Sequence, residues 1–287
     1  MSDNQPNTPF DTLRRFFQRH FIWLPLTVVV AWAGVPLLWS FAASFKTRGD
    51  FARVPPPFFP ADPTLSGYAR VLTDSGFWMF TRNSLVIATV STLVAVALST
   101  ITAYGFARYA FKWRHVLLMF ILLPRLVPRI SLIVPVYDII RAVGLLNTHL
   151  ALIIVYTGSA IPLATWIMIG FIGAIPKDLD EAAKVDGANS WQVFQRIILP
   201  LTIPGLLTIG VLAFRDAWNE FPFALALTNS PDVRTLPYQL FLFRDSLGVA
   251  DYGLIQAFTL LSILPILLLY LRLEKHVVGG LTSGAVK

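Results

Sequence analysis

Charged residues interrupt two long apolar stretches of this chain. Arg125 and Arg129 stand within an apolar run over 116–137, and Arg215, Asp216 and Glu220 stand within another over 197–227. Ionisable groups in such runs are expensive to bury, and they commonly face an opposite charge or a water-filled path. Arg125 and Arg129 are four residues apart, as are Asp216 and Glu220, and on a helix that spacing places both members of a pair on one face. Two guanidiniums and two carboxylates at similar depth allow two chemistries. They could form ion pairs that fix helix packing, or they could line a path whose donors and acceptors hold a polar cargo. Between the carboxylates lie Trp218 and Asn219, where the indole offers either a flat apolar face to a cargo or a core aromatic.

A second constellation lies at 176–190, the run Pro-Lys-Asp-Leu-Asp-Glu-Ala-Ala-Lys-Val-Asp-Gly-Ala-Asn-Ser. It reads as a short helix. Asp178 is placed as its N-cap with Glu181 three residues on, as in a capping box, and Gly187 is placed as its left-handed stop. Ser190 is placed to cap a second helix over 191–198, which leads into Leu199-Pro200. Two short helices at a bend read either as an interfacial hairpin or as a docking element for a soluble partner. The small Ala182 and Ala183 would admit close approach, and Glu181 would offer a charge.

The elements that must carry these residues are membrane helices. Hydrophobic residues make up 55% of the 287 and charged residues only 14%, against about a quarter charged in ordinary soluble domains. Mean hydropathy is +0.65. Four stretches are long and free of charge, about 21–45, 83–107, 150–173 and 252–271, each long enough for a hydrocarbon core of about 30 Å. The two interrupted runs add spans at about 116–139 and 200–227. The expected fold is therefore all-α and polytopic, with six transmembrane helices over 21–272, a tail at 1–20 and another at 273–287.

Lys and Arg are richer in the segments that lie inside if the N-terminus is inside, which predicts cytoplasmic termini. Pro124, Pro128 and Pro135 predict kinks in the third span, with irregular backbone that suits a pathway wall better than a lipid face. Ser and Thr in the second span (among them Ser84, Ser91, Thr92, Ser99 and Thr100) predict close helix packing. The outer loop at 46–82 predicts extended backbone at Pro55–Pro57 and a short surface helix over 64–71. With no cysteine, the chain can form no disulfide or thiolate metal site. It carries no phosphate-binding Gly-x-x-x-x-Gly-Lys loop and no His-Glu-x-x-His or Gly-x-Ser-x-Gly motif, so an enzyme reading has little support.

The loop residues carry a resemblance. Glu181-Ala182-Ala183, three residues, Gly187, nine residues, Ile197, one residue and Leu199-Pro200 is similar, position for position, to the EAA loop of bacterial ABC importer permeases. The segments Gly144-Leu145-Leu146-Asn147-Thr148, Trp218-Asn219-Glu220-Phe221 and the terminal Gly284-Ala285-Val286-Lys287 resemble the carbohydrate-uptake, maltose-permease-like branch. That resemblance implies half of a translocation pore in the bacterial inner membrane and alternating access. It implies a second permease subunit, two ATP-binding subunits that carry ATP and Mg, and an extracytoplasmic substrate-binding protein. No cofactor or metal in this chain, no nucleic acid and no catalytic residue are expected. It also implies coupling to the ATPase through Glu181, Ala182, Ala183, Asp186 and Gly187, with the C-terminal tail reaching toward the ATPase pair. A path through Arg125, Arg129, Asp216, Trp218, Asn219 and Glu220 would bind sugar hydroxyls, while the two arginines leave room for a sugar acid or sugar phosphate. The rival reading of the buried charges is an ion-coupled secondary transporter or a channel.

Overall fold

The computed structural model describes residues 9–243 and 251–283, and side chains are described at 23, from 25 to 243 and from 251 to 273. Arg244 lies outside the described residues. So do residues 1–8 of the N-terminal tail and Gly284–Lys287; of 9–22, 24 and 274–283 only the backbone is described. Helices and no strands occur among the described residues. Among the described residues, four helices are apolar and long enough to cross a membrane, or up to six spans if each of two bent pairs counts as one.

The chain divides into two compact units. The first comprises 1–71 and 245–260. It holds α1 (Pro9–Ala43), α2 (Arg48–Ala52), the start of α3 (Ser66–Thr73), and the first residues of the last helix, which begins at Tyr252. The face of α1 is apolar and open, with Trp32 84% exposed, as expected of a surface against hydrocarbon. The loop after α1 turns on Lys46, whose ammonium lies 3.7 Å from the centre of the Trp39 ring and donates to the carbonyl of Pro57. Thr47 and Asp50 form a reciprocal capping box on α2, an element absent from the sequence reading. Asp251, beside the start of the last helix, pairs with Arg70 at 2.8 Å and Arg48 at 3.3 Å.

The second unit comprises 72–244 and 261–287. Its frame is α4 (Ser75–Arg108), which begins well before residue 83 because Asp74 caps it through the Gly76 amide at 2.8 Å. There follow α5 (Arg114–Leu122), α6 (Ile133–Ala142), α7 (His149–Gly173), α8 (Asp178–Val185), α9 (Ser190–Val193), α10 (Leu199–Leu201), α11 (Ile203–Trp218), α12 (Pro222–Leu227), α13 (Leu236–Phe241) and α14 (Tyr252–Ser283). Helices α4, α7 and α11 pack together. A seam of small residues makes this possible: Ala88, Ala95, Ser99 and Ala103 on α4 and Ala151 and Ala164 on α7 are all buried. The hydroxyls of Ser91, Ser99 and Thr100 bond back to carbonyls of their own helix, while those of Thr92 on α4 and Thr165 on α7 are buried without a partner.

The third span departs from the expectation of one kinked helix. After α5 the chain runs through a 3-10 turn at Leu123–Leu126, an extended step at Val127 and Pro128, and a second 3-10 turn at Arg129–Leu132 before α6. The two halves are bent by 101°. Pro128 favours the break, because a proline disfavours helical backbone in the residue before it, and Val127 is extended. Pro135 makes no kink, since it lies in the first turn of α6, where its missing N–H goes unused. Arg125 and Arg129 consequently lie on opposite sides of a break rather than on one helix face.

The fifth span is broken too, with 74° between Ser190–Leu201 and Ile203–Trp218. Asp216 is in the last turn of α11 while Glu220 lies beyond its end. The shared helix face expected of these two carboxylates is therefore also corrected.

Candidate coupling loop and membrane charge cluster

The loop after α7 folds into two short helices at a bend, but its caps differ from those expected. Asp178 is the first helical residue and caps nothing. Lys177 is the N-cap, with no side-chain cap, and its carbonyl accepts from the amides of Asp180 and Glu181. Asp178, Asp180 and Glu181 in the first turn favour the helix dipole instead. Ser190 is likewise helical. The cap of α9 is Asn189, whose Oδ1 accepts from the Gln192 amide at 2.9 Å while Gln192 returns the bond. Beyond α9 the backbone passes through a π-helical stretch, Phe194–Ile198.

Gly187 ends α8 as expected. Its φ is +85°, its amide donates to Lys184 at 3.0 Å, and the Ala188 amide donates to Ala183 at 2.9 Å. These are the two bonds of a Schellman stop. The stop fixes which face of α8 turns inward. Asp180 and Ala183, three apart, are buried. Ala183 packs with Ala103, Met168, Ile172, Val193 and Phe194. Glu181, Ala182, Lys184 and Asp186 are exposed, and beside them Val185 is 88% exposed. The two alanines thus part company: Ala183 builds the loop and Ala182 faces outward.

One ion pair at this loop was invisible to sequence reasoning. Arg108, the last residue of α4, holds Nε 2.8 Å from Oδ2 of Asp180, with both side chains buried. Its Nη1 donates to the Ile175 carbonyl at 3.0 Å. The available signal was Asp180 on the face of α8 that carries Ala183.

Within the spans, the structure brings Arg125, Arg129 and Asp216 together. Arg129 Nη2 donates to Asp216 Oδ2 at 2.5 Å, and Arg125 Nη1 lies 3.7 Å from the same oxygen. All three side chains are about a third exposed. Arg125 and Arg129 line a cavity of about 280 Å³ with Ser159, Pro162 and Phe223. Arg125, Arg215 and Asp216 line a smaller one of about 100 Å³.

The rest of the Trp218–Phe221 segment turns to local tasks. Trp218 is buried, stacks on Phe214 and donates its indole N–H to the Ser262 carbonyl at 3.3 Å. Asn219 donates to the Arg215 carbonyl at 2.9 Å, closing the end of α11. Glu220 is buried, and its two oxygens accept from the amides of Phe223 and Ala224 at 2.9 and 3.2 Å. Asn147 has a comparable task. In left-handed backbone (φ 59°), its Oδ1 accepts from the amides of Asn229 and Ser230, its Nδ2 donates to Ser230 Oγ, and its own amide donates to the Leu227 carbonyl.

Residues 95–281 match the family described as binding-protein-dependent transport system inner membrane component. The trehalose/maltose transport system permease protein MalG of Thermococcus litoralis is 36% identical, over 88% of this chain and 91% of its own length. The sulfoquinovosyl glycerol transport system permease protein SmoH of Agrobacterium fabrum is 34% identical over 88% of each chain. Among solved structures, a chain of a bacterial ABC transporter involved in the import of the acidic polysaccharide alginate superposes with a TM-score of 0.76. It covers 95% of this chain and 99% of its own, at 20% identity. The chain belongs to the family of binding-protein-dependent transport system inner membrane components.

Proposed function

We propose that this chain is one permease subunit of an ATP-driven carbohydrate importer, and that α8 is the element by which it engages an ATPase subunit. The observation that carries the reading is the division of α8 into two faces. Asp180 and Ala183 are sealed into the chain, while Glu181, Ala182 and Val185 are presented outward behind a rigid glycine stop. A helix with an exposed apolar residue beside an acidic one suits a cleft on a soluble partner. In this reading both termini and α8 are cytoplasmic, ATP and Mg belong to the partner ATPases, and a second permease subunit completes the pore. The cargo path runs past Arg125, Arg129 and Asp216. Trp218, Asn219 and Glu220 hold the backbone of that path in shape rather than touching cargo. Relatives that carry trehalose, maltose and sulfoquinovosyl glycerol by name support a carbohydrate cargo. An ion-coupled transporter would have no use for the exposed face of α8.

The test is reconstitution of the chain in lipid with its second permease subunit, ATPase subunits and binding protein, loaded in turn with maltose, trehalose and digalacturonate. At least one sugar should stimulate ATP hydrolysis several-fold in the intact complex, and Glu181→Ala should remove most of that stimulation. Failure of any ATPase subunit to co-purify with the wild-type chain would overturn the reading.

A second reading concerns the charge of the cargo. Arg125, Arg129 and Arg215 surround one accessible carboxylate, Asp216, since Glu220 is committed to backbone amides. An excess of guanidinium at membrane depth favours an anionic sugar, which would supply the missing negative charge. Digalacturonate should then outcompete its neutral counterpart, and Arg129→Gln should narrow that preference. Equal uptake of both sugars by the wild-type complex would refute this second reading alone.

A further inference from the structure

The buried pair at the root of the coupling loop joins two elements that have different tasks. Arg108 ends α4, the 34-residue helix at the centre of the small-residue seam. Asp180 lies in the first turn of α8. The contact is sealed, with side-chain exposures of 5% and 10%. Around it Tyr104 stacks obliquely on Phe194 and donates to the Ser190 carbonyl at 3.3 Å, so α4 also grips the second helix of the loop. The same guanidinium reaches the Ile175 carbonyl in the linker between α7 and α8. One side chain thus touches both ends of the segment that leads into α8.

A buried ion pair is a poor device for stability alone, because desolvation offsets most of its attraction. It is a good device for fixing direction, because a planar guanidinium accepts few geometries. The pair here is half used. Arg108 Nη2 and Asp180 Oδ1 have no hydrogen-bond partner, and Nε, although 2.8 Å from Oδ2, meets it as an ion pair without hydrogen-bond geometry. Opposite charge sealed from water therefore holds the two groups together without a full set of hydrogen bonds.

We propose that Arg108 and Asp180 form the strut that transmits displacement of α8 to the membrane helix α4. The inference rests on the reading of α8 as the ATPase-coupling element. When a partner moves the exposed face of α8, the pair drags the end of α4 with it, and α4 carries the motion along its seam with α7 and α11. Arg108 and Asp180 are positioning residues in this scheme, since neither faces the ATPase.

The experiment uses the full complex in lipid, with the binding protein loaded with whichever of maltose, trehalose and digalacturonate stimulates the wild type most. Asp180→Asn and Arg108→Gln should co-purify with ATPase subunits in normal amount and keep basal hydrolysis within twofold. Stimulated hydrolysis and uptake should fall at least tenfold. Asp180→Glu, which keeps the charge, should retain more than half, and the double variant should be no worse than either single one. Labels on Tyr109→Cys and Lys184→Cys, in a chain that has no cysteine of its own, give a second readout. Their separation should stay constant between nucleotide-free and ATP-bound complexes when the pair is intact, and it should broaden with Asp180→Asn. If Glu181→Ala uncouples the complex while the strut variants keep full stimulation and an unchanged label separation, the strut is refuted and the docking role of α8 stands. If Glu181→Ala also leaves coupling intact, the docking reading fails first. Variants too unstable to assemble are still judged by the wild-type label separation, which must not change with nucleotide.

Discussion

Replacing Gly187 tests the argument where local geometry and function meet. Its φ of +85° lies in the left-handed region, and a Cβ built there meets no atom within 4 Å. A side chain therefore finds space, and the whole penalty is conformational, about 1–2 kcal/mol for an ordinary L-residue. Asparagine, which visits this region more readily, should suffer less. Proline cannot reach it, and it also removes the amide that donates to Lys184. If α8 must end in this stop to present Glu181 and Ala182, the penalty appears as a smaller docking-competent fraction. A change of 1–2 kcal/mol is a factor of about 5–30 in an equilibrium. Titrating ATPase subunits against the permease in lipid should show apparent affinity falling by that factor for Gly187→Ala. Gly187→Asn should fall less, and Gly187→Pro should bind too weakly to measure. Alanine binding within twofold of glycine would refute the link between the stop and docking, and asparagine worse than alanine would refute the conformational account.

Three further changes probe the frame. Asn147→Ala loses three side-chain bonds to the Asn229–Ser230 turn and adds left-handed strain, so it should lower thermal stability in detergent more than Asn147→Gly. The gap between them, about 1–2 kcal/mol, is the strain alone. Gly205→Ala would set a Cβ 2.7 Å from the Phe171 ring. It should destabilise α7–α11 packing by about 1–3 kcal/mol, and Phe171→Leu in the same chain should restore part of the loss in a melting assay. Burial opposes ionisation of Asp251, but the Leu254 amide with Arg70 and Arg48 outweighs it and holds the carboxyl below its ordinary 3.8. A depressed carboxyl contributes stability that is complete above the ordinary value and lost as pH falls through the lower, folded one. Melting temperature should therefore drop in that acid window for the wild type and be flatter there for Asp251→Asn.

What could be read in the sequence was local. The spacing from Glu181 to Leu199-Pro200 holds within one loop, and so does a glycine that must go left-handed. The helices at α1, α4, α7 and α14 follow from unbroken apolar runs. Caps were harder, because several candidates crowd each helix start: Asp178 yields to Lys177 and Ser190 to Asn189, one residue earlier in both cases. The prolines of the third span were visible, but not the 101° turn they permit. A proline removes a helical bond; how far the chain then bends depends on what packs beside it. The contact between Arg108 and Asp180 joins distant parts of the chain, and no periodicity records it.

The broken spans explain why polar residues gather where they do. A helix that ends at membrane depth leaves backbone groups that water cannot satisfy. Asn219 bonds a carbonyl at the end of α11, and Glu220 receives two amides at the start of α12. Trp218, Asn219 and Glu220 are then a device for stopping one helix and starting another, and Asp216 pairs with the two arginines. Glu220→Ala should orphan two buried amides at about 1–3 kcal/mol each. Glu220→Gln keeps one acceptor oxygen and should fall between alanine and the wild type in thermal stability. The assay pairs melting temperature with sugar uptake by the assembled complex. For both variants the loss of uptake should follow the loss of stability. If Glu220→Gln melts with the wild type yet abolishes uptake, the carboxylate acts on cargo, and its place in the path must be restored.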